Sequence, residues 1–420
     1  MVNIDSLLQP YQRFGVHLGL ERIQELLANL GNPHHQVPVI HVAGTNGKGS
    51  VCAYLSTVLT AAGYRVGRYT SPHLIDWTER ICLNQQPIAS ATLTQLLLQV
   101  QAAIPEDSQD SPTQFEIITA AAWLYFAQQQ VDIAIIEVGL GGRLDATNVC
   151  DRPLATIITS ISREHWQVLG PTLADITTEK AGILKPNCPA ILGPLPPEAC
   201  HVVEKRIQQL DCPVIWVEPA VEMENGKRAC YQGIEYPLPL PGQIQLTNSA
   251  IAIATLQTLV ARGWHISPDA IASGMAQTTW RGRLQWTTWQ GHRLLLDGAH
   301  NPAAAQALRH YVDTLNTPIT WVVGILSTKD HADIFRALLR PSDRLYLVPV
   351  PDRSSAAPDT LEAIAREICP ELAECFSYPN LATALDVAVS NSADEPDNLI
   401  VLCGSLYLVG YFLATDLVTD

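Results

Sequence analysis

The sequence has 420 residues, 47% hydrophobic and 16% charged, so it can bury a sizeable core and is long enough for about two or three domains. Its 26 basic and 41 acidic side chains give a net charge of −15, which repels polyphosphate backbones and disfavours a nucleic-acid partner. The ten cysteines include no C-x-x-C pair, which argues against structural zinc and a disulfide framework and fits a reducing cytoplasm.

Neither a secretory signal nor a membrane span is expected. The N-terminal stretch MVNIDSLLQPYQRFG lacks the basic and apolar segments of a signal peptide. No apolar run is judged long enough to cross a bilayer. We therefore expect a cytoplasmic protein without a membrane partner.

Apolar runs alternate with helical patterns along the first two thirds of the chain. Predicted strands lie at 39–42, 131–142, 153–161, 188–193 and 212–217, and the apolar run VDIAIIEV is typical of a strand covered on both faces. An Asn-Gly turn in ENGKRACYQGIEYP predicts a hairpin. Helices are predicted to end near Gly63 and at Gly263, to lie near 196–210, and to begin after a cap at Ser267.

The stretch TTWRGRLQWTTWQGHR breaks this alternation, and we interpret it as a domain junction. Strands are predicted again in LLLDGAHN, ITWVVGILS, DRLYLVPV and NLIVLCGS, with helices between them. Strand–helix alternation on both sides of the junction predicts two α/β domains with mostly parallel sheets.

A glycine-rich turn follows the first predicted strand, in VPVIHVAGTNGKGSVCAYLSTVL. A strand, a tight turn and a helix N-terminus make an anion site, because backbone N–H groups converge there and the helix dipole adds a favourable potential. Gly44, Gly47 and Gly49 allow close approach of the backbone, and Lys48 can reach the outer phosphates of a nucleotide. The stretch departs from G-x-x-x-x-G-K-[ST], because Gly49 separates Lys48 from Ser50. A purely structural turn is the alternative, and the flanking strand and helix favour phosphate binding.

Two other nucleotide-binding classes lack their signatures in this sequence. A GTPase would need an N-K-x-D stretch, which is absent. A dinucleotide-binding dehydrogenase would need G-x-G-x-x-G after a strand, and the best match, GLGGRL, has Leu144 where the third glycine is required.

Three side chains could hold a magnesium ion beside that turn. Glu137 ends the apolar run IAIIEV, where a carboxylate is costly unless it is paired or bound to metal. His165 follows the strand predicted at 153–161, and Ser71, in RYTSPHL, lies near the end of another expected strand. Open α/β sheets bind ligands at the carboxyl ends of their strands, so these residues are expected close to the phosphate turn. A satisfied core glutamate and ordinary loop residues are the alternatives.

Together these stretches resemble a known family. HVAGTNGKGS, YTSPHL, EVGLGGRLDATN, TTEKAGILKP, LDGAHNP and CGSLYLVG occur in the order seen in folylpolyglutamate synthases and dihydrofolate synthases, which are relatives of the Mur ligases. The resemblance runs from GLERIQELLANLG to GSLYLVG, nearly the whole chain. It implies an ATP- and Mg²⁺-dependent ligase that joins L-glutamate to dihydropteroate, to a (poly)glutamylated folate, or to both, through an acyl phosphate.

The resemblance also implies the architecture. Residues 1–280 would form a larger α/β domain with a P-loop-type, mostly parallel sheet and flanking helices, which binds ATP and the pterin substrate. Residues 281–290 would be the junction, and 291–420 a smaller Rossmann-like α/β domain that presents glutamate. The site would be the cleft between the domains of a monomer, and closure would exclude water that hydrolyses the acyl phosphate.

Individual residues take their expected roles from the same resemblance. The ATP phosphates would contact Gly44, Thr45, Asn46, Gly47, Lys48, Gly49 and Ser50. The Mg²⁺ ligands would be Ser71, Glu137 and His165. Lys180 in TEKAGI matches a lysine that the family carbamylates, which turns a cation into an anion able to orient the metal. From its surroundings in the sequence alone, Lys180 is a solvated helix residue or a phosphate clamp.

The remaining matched positions concern the base, the substrates and catalysis. Asn248 matches a contact to the nucleotide base, and Arg283 and Asp297 match further ATP contacts. His300 and Ser405 match positions linked to glutamate and the acyl phosphate, so Lys48, Lys180 and His300 are the expected catalytic residues. The pterin side would be formed by Arg80, Thr113, Phe115, Asp145 and Ala146. Packing or surface roles remain the alternative for these last residues, above all for Phe115.

Two other functions are weighed against this one. A Mur-type ligase acting on a UDP-sugar peptide would need an extra N-terminal domain, and only 36 residues precede Val37. A non-catalytic ATP-binding scaffold would not need Glu137, His165 and Lys180 beside the phosphate turn. We therefore expect ATP, L-glutamate and a folate or dihydropteroate as the partners.

Overall fold

The computed structural model describes residues 3–12, 18–105, 110–391 and 398–415. The chain divides into an N-terminal unit, Met1–Pro239 with Ile244–Thr279, and a C-terminal unit, Leu240–Gln243 with Trp280–Asp420. Both units are built from strands and helices in alternation, so the predicted α/β class is confirmed.

The described part of the N-terminal unit contains eleven strands and ten α-helices. The strands are β1 (Val39–Ala43), β2 (Val66–Tyr69), β3 (Ile81–Leu83), β4 (Gln86–Pro87), β5 (Ile133–Glu137), β6 (Ala155–Ile158), β7 (Ala190–Leu192), β8 (Val214–Trp216), β9 (Val221–Met223), β10 (Arg228–Tyr231) and β11 (Ile234–Pro237). The helices are α1 (Ile4–Leu8), α2 (Glu21–Asn29), α3 (Lys48–Ala61), α4 (Ser90–Ala102), α5 (Gln114–Gln128), α6 (Trp166–Leu169), α7 (Leu173–Ala181), α8 (Pro197–Leu210), α9 (Ile244–Ala261) and α10 (Pro268–Gln277).

Eight strands form the main sheet of this unit, in the order β4-β3-β2-β5-β1-β6-β7-β8. The run from β2 to β8 is parallel, and β3 and β4 are added antiparallel at one edge. All five residues of β1 and of β5 are buried, as expected for central parallel strands covered on both faces. The predicted hairpin is also present, and β9, β10 and β11 form a separate antiparallel sheet.

Helices α3 and α9 pack together in this unit and carry many of its buried side chains. The 18 residues of α9 reach a mean hydropathy of 1.3, so by length and composition this helix could cross a membrane. The expectation that no apolar run is long enough was therefore wrong. Because 61% of that stretch is buried inside the protein, its apolar character is accounted for by the core.

The C-terminal unit has one six-stranded sheet, in the order β12-β13-β17-β14-β15-β16, which is parallel except for the β12–β13 hairpin. Its strands are β12 (Gln285–Trp289), β13 (His292–Leu296), β14 (Ile319–Val323), β15 (Arg344–Leu347), β16 (Glu374–Ser377) and β17 (Leu399–Cys403). Its helices are α11 (Pro302–Asp313), α12 (His331–Leu338), α13 (Pro358–Ile368), α14 (Leu381–Asn391) and α15 (Leu406–Ala414).

The segment interpreted as the junction has regular structure. Residues 285–289 form β12, which pairs residue by residue with β13. The two tryptophans and two threonines of QWTTW fit an edge strand better than a linker, because β-branched and aromatic residues favour strands. The polar and glycine residues around it obscured this signal in the sequence.

Candidate active site

Four parallel strands of the N-terminal unit end next to one another. In the sheet order β2-β5-β1-β6, Ser71 follows β2, Glu137 ends β5, Gly44 follows β1 and His165 follows β6. Parallel strands present their carboxyl ends at the same edge of a sheet, which is where open α/β sheets bind ligands. The fold thus places the expected phosphate turn and the three expected metal ligands along one edge.

The backbone of the turn between β1 and α3 can be formed only with glycine at two positions. Gly44 has a φ of +147°, and a Cβ added there would lie 1.9 Å from Thr159 Oγ1. Gly47 has a φ of +86°, and its Cβ would lie 2.3 Å from Asn248 Oδ1. Both conformations disfavour residues with a side chain, so these glycines are required by the shape of the turn.

The segment that follows β6 holds this turn in place. Thr45 N donates to Ser160 O at 2.8 Å, and Asn46 N donates to Ser160 Oγ at 3.0 Å. Thr159 Oγ1 in turn donates to Asn46 O at 2.7 Å, and Ser162 N donates to Thr45 Oγ1 at 3.0 Å. The two bonded segments are loops that follow the adjacent strands β1 and β6. These hydrogen bonds therefore fix the turn at the carboxyl ends of the parallel strands.

The turn leads directly into α3, whose N-terminus is uncapped. Gly47 is the N-cap residue and makes no side-chain capping hydrogen bond. The first N–H groups of a helix have no partner within the helix, and together with the dipole they attract an anion. Gly49 and Ser50 lie in this first turn, and Gln245 Nε2 donates to Ser50 Oγ at 3.4 Å. Asn248 Nδ2 donates to Gln245 Oε1 at 3.1 Å, so α9 supports the same turn.

Two lysines meet at the turn. Lys48 Nζ donates to Gly44 O at 3.0 Å and to Thr45 O at 3.1 Å, and Lys180 Nζ donates to Gly44 O at 2.8 Å. Burial, followed by the neighbouring charge of Lys48, lowers the pKa of Lys180 to about 7. The carboxylates of Glu164 and Asp145 oppose this decrease. Lys180 is therefore a buried residue of the site, and the interpretation of it as a solvated helix residue was wrong.

The expected metal ligands supply one buried carboxylate and one partly exposed imidazole. Glu137 is buried, and its Oε2 accepts a hydrogen bond from Ser71 N at 3.2 Å. His165 has a left-handed backbone, with a φ of +52°, and its Nε2 lies 3.8 Å from Glu164 Oε1. Among the described residues, no group of three or more His, Cys, Asp or Glu side chains is arranged to hold a metal.

The expected pterin-side residues lie on α5 and on the loop after β5. Thr113 is the N-cap of α5 and its hydroxyl accepts from Glu116 N. The Phe115 ring lies where a Cβ on Gly139 would collide with it, and its centroid is 6.2 Å from that of Tyr69. Phe115 is only partly buried, so part of the ring remains available to a ligand.

Asp145 and Ala146 are both buried in that loop. Burial raises the pKa of Asp145, while hydrogen bonds from Thr147 and from backbone N–H groups of the loop lower it. Arg80 is also buried; its Nε donates to His73 Nδ1 at 2.9 Å, and its guanidinium lies 4.4 Å from the centre of the Trp77 ring.

The remaining expected residues belong to the C-terminal unit. Asp297 Oδ2 accepts from Leu284 N at 2.9 Å, and burial raises its pKa, while the neighbouring Arg283 is the first of the groups that lower it. His300 follows β13, and its Nδ1 donates to Gly298 O at 2.7 Å. Ser405 follows β17, the neighbour of β13, and caps α15 by accepting from Tyr407 N. His300 and Ser405 thus lie at adjacent carboxyl ends of parallel strands.

Sequence reasoning missed the residues that support the phosphate turn. Thr159 and Ser160 were included in a predicted strand, but β6 ends at Ile158. A polar run directly after an apolar strand was the available signal, since such residues lie at the ligand-binding edge. Gln245 carried no signal, because its contact depends on how α9 packs.

Comparison with known proteins identifies the family. The Mur ligase middle domain matches residues 42–192, and the domain described as "Dihydrofolate synthetase, C-terminal domain" matches 283–415. The dihydrofolate synthase/folylpolyglutamate synthase of Bacillus subtilis is 37% identical over 373 residues, which cover 84% of this chain and 86% of the relative.

Two solved structures extend the similarity to the fold. Escherichia coli FolC in complex with DHPP and ADP is 32% identical, covers 97% of this chain and 95% of its own, and has a TM-score of 0.84. A bifunctional folylpolyglutamate synthase/dihydrofolate synthase with Mn, AMPPNP and L-glutamate bound is 31% identical and has a TM-score of 0.83. The match covers 97% of this chain and 96% of that structure's chain. The resemblance and the enzyme class predicted from the motifs are confirmed: the chain belongs to the folylpolyglutamate synthase/dihydrofolate synthase family of ATP-dependent ligases.

Proposed function

We propose that this enzyme uses ATP to ligate L-glutamate to the carboxylate of dihydropteroate, of a (poly)glutamylated tetrahydrofolate, or of both. The observation that carries the proposal is the turn 44–50, which joins an uncapped helix N-terminus to two lysines at the carboxyl edge of the sheet. Such a turn suits a nucleotide polyphosphate. The nucleotides bound by the related enzymes support the same assignment.

The chemistry requires an activated carboxylate. A carboxylate is a poor electrophile, so one of its oxygens first attacks the γ-phosphorus of ATP and ADP departs. The glutamate amine then attacks the carbonyl carbon of the acyl phosphate, loses a proton, and the tetrahedral intermediate expels phosphate. Each step brings anions together, and the N–H groups of the turn and the Lys48 ammonium offset that repulsion.

The nucleotide would occupy the turn as follows. Its outer phosphates would replace the carbonyl oxygens of Gly44 and Thr45 as partners of the Lys48 ammonium. Asn248, beside Gly47, would face the base, as the family resemblance implies. Because Thr45 and Asn46 are fixed by hydrogen bonds to the segment 159–162, the N–H groups of residues 47–50 need little rearrangement when the phosphates bind.

A divalent metal would be held by Glu137, Ser71 and His165. The buried Glu137 carboxylate fits, because a hard cation prefers oxygen ligands and the phosphates and water complete its shell. When bound, Mg²⁺ supplies positive charge that polarises the phosphoryl group. The Ser71 N–H holds the Glu137 carboxylate at the sheet edge in readiness for that role.

Lys180 is proposed to act as a carbamate. Carbamylation joins an uncharged amine to carbon dioxide with release of one proton, and a pKa of about 7 leaves much of the Lys180 amine uncharged near neutral pH. The product is an anion next to Lys48, which removes the repulsion between the two neighbouring cations.

The C-terminal unit is proposed to contribute the glutamate-dependent step. His300 and Ser405 follow adjacent parallel strands of one sheet, and the hydrogen bond from His300 Nδ1 to Gly298 O orients the imidazole. Arg283 and Asp297 are proposed as further ATP contacts. We extend the proposal to residues 1–280 as the nucleotide and pterin domain, 291–420 as the glutamate domain, and a monomer acting in the cytoplasm.

A product assay tests the proposed function. The enzyme is incubated with ATP, Mg²⁺ and glutamate, with dihydropteroate or tetrahydrofolate as acceptor, and the glutamates added are counted by mass spectrometry. We expect glutamylated product with at least one acceptor, and a loss of at least about 100-fold in Lys48→Ala. Lys205→Ala, an exposed lysine on α8, is the matched control and should keep wild-type turnover. No product with either pterin, or product with a UDP-sugar peptide instead, would refute the proposal.

A further inference from the structure

His41 is a polar residue in the middle of β1, one of the two central strands of the eight-stranded sheet. It lies on β1, opposite Ile136 of β5 and Thr156 of β6, and only 1% of its surface is exposed. Two residues after the histidine β1 ends, and the phosphate turn begins. An imidazole in such a position needs a physical reason, because its neighbours on β1 are all apolar.

The hydrogen bonds of this imidazole have a defined direction. Thr147 Oγ1 donates its proton to Asp145 Oδ1 at 2.5 Å, so toward His41 the hydroxyl can only accept. His41 Nε2, 2.9 Å away, must therefore carry the donated proton. Nδ1 is buried and has no hydrogen-bond partner among the residues that the structure describes. Burial lowers the pKa of His41 to about 3, so the ring is neutral and this tautomer persists at ordinary pH.

The hydrogen bonds from His41 to Thr147 and from Thr147 to Asp145 form a chain, the His41 relay, which ends on the backbone of one loop. Asp145 Oδ1 also accepts from Thr147 N at 3.0 Å, and Oδ2 accepts from Leu140 N at 2.8 Å. The carboxylate therefore bridges Leu140 and Thr147, two residues of the loop that carries the expected pterin-side residues Asp145 and Ala146. Hydrogen bonds in such a buried chain reinforce one another, so the first donor affects the last acceptor.

The outer part of this loop is fixed to α7 in a different way. A Cβ on Gly142 would lie 2.9 Å from Glu179 O, and one on Gly182 would lie 2.3 Å from Arg143 Cβ. Asn148 Nδ2 donates to Arg143 O and to Gly182 O. These contacts hold the loop against a helix. The His41 relay is a side-chain connection from the interior of the loop to the strand that carries the phosphate turn.

We propose that His41 is a positioning residue that, through Thr147 and Asp145, sets the pterin-side loop 139–148 in its place relative to the phosphate turn. The inference rests on the proposed function, because it takes this loop to contact the pterin substrate. Packing alone does not explain the histidine. Leucine fills a similar volume and would avoid the unfavourable burial of an unpartnered Nδ1, whereas it could not donate to Thr147.

Four variants test the proposal by steady-state kinetics. His41→Leu removes the donor, Thr147→Val removes the hydroxyl, and His41→Gln keeps an N–H at a reach similar to that of Nε2. Thr156→Val is the matched control: Thr156 lies opposite His41 in the sheet and is equally buried, but its hydroxyl donates to Pro189 O, outside the relay.

We expect His41→Leu to raise the KM for the pterin substrate about tenfold, the effect of losing one hydrogen bond in a buried network. The KM for ATP should stay within about twofold, and His41→Gln should restore most of the pterin KM. Thr147→Val should show a similar defect, and the double variant should be no worse than either single variant, because both remove the same connection. Thr156→Val should keep the wild-type KM for both substrates.

Several results would overturn the inference. They are an unchanged pterin KM in His41→Leu, an equal rise in both KM values, additive effects in the double variant, or a Thr156→Val defect of the same kind. If His41→Leu does not fold, Thr147→Val alone decides, since valine matches threonine in shape. Failure of the proposed function can be told apart from failure of this inference, because in the first case the wild-type enzyme itself would form no glutamylated pterin.

Discussion

Gly47→Ala is the change that most sharply tests the geometry of the phosphate turn. A Cβ at this position would lie 2.3 Å from Asn248 Oδ1, whereas ordinary Cβ contacts begin near 3.4 Å, so the turn or Asn248 must move by about 1 Å. Asn248 is buried and donates to Gln245, so it cannot move away without breaking that hydrogen bond. The displacement therefore falls on the N–H groups that are proposed to bind phosphate.

Gly63→Ala provides a matched control at the other end of α3. Gly63 has a φ of +90°, close to the +86° of Gly47, but nothing lies within 4 Å of its Cβ position. Both variants should lose about 1–2 kcal/mol of stability from the left-handed backbone. That loss corresponds to a decrease in Tm of about 2–4 °C per kcal/mol.

Only Gly47→Ala should affect nucleotide binding. We expect its kcat/KM for ATP, measured by coupled ADP release, to fall at least about tenfold below that of Gly63→Ala, because an error of 1 Å in a binding group is costly. Calorimetric titration with ADP should show the same difference. If the two variants match within about twofold in both measurements, the turn does not bind the phosphates as described.

Three further predictions concern the metal, the buried lysine and the C-terminal unit. Glu137→Gln should raise the Mg²⁺ concentration needed for half-maximal turnover at least about tenfold, because one charged ligand is lost; an unchanged metal titration would contradict the ligand role. For Lys180, the pKa of about 7 means that the uncharged share of the amine rises as pH rises through 7. At equal concentrations of dissolved, isotopically labelled carbon dioxide, a carbamate should therefore form faster at pH 8 than at pH 6, as followed by NMR, and a signal that persists in Lys180→Arg would rule this site out. His300→Ala should lower the glutamate-dependent kcat at least about tenfold while the affinity for ADP stays near wild type. A loss confined to nucleotide affinity would contradict a role of His300 in the glutamate-dependent step.

Local features of the site could be predicted from the sequence because their causes are local. A β-branched run followed by glycines and an apolar helical pattern specifies strand, turn and helix within a few residues, as in the segment from β1 to α3. Ser71, Glu137 and His165 were expected at one edge for a general reason. Each was expected at the end of a parallel strand or just after it, and parallel strands share the edge at which they end.

Contacts between distant segments could not be predicted in this way. Lys180 Nζ bonds to Gly44 O across 136 residues of sequence, which depends on how α7 packs against the sheet. The support of the turn by Thr159 and Ser160 depends on β6 lying beside β1. Asp145 stays a predicted pterin-side residue, but the hydrogen bonds that its carboxylate accepts within its own loop could not be foreseen. Only the fold shows which neighbour satisfies a buried polar group.

The central claim is that a magnesium nucleotide binds on the turn 44–50, and a crystal structure of the enzyme with ADP and Mg²⁺ tests it most directly. The account predicts phosphate oxygens about 3 Å from the N–H groups of the turn and from Lys48 Nζ. It also predicts the metal next to the Glu137 carboxylate. Electron density for the nucleotide at any other place, or a metal bound away from Glu137, would contradict the account.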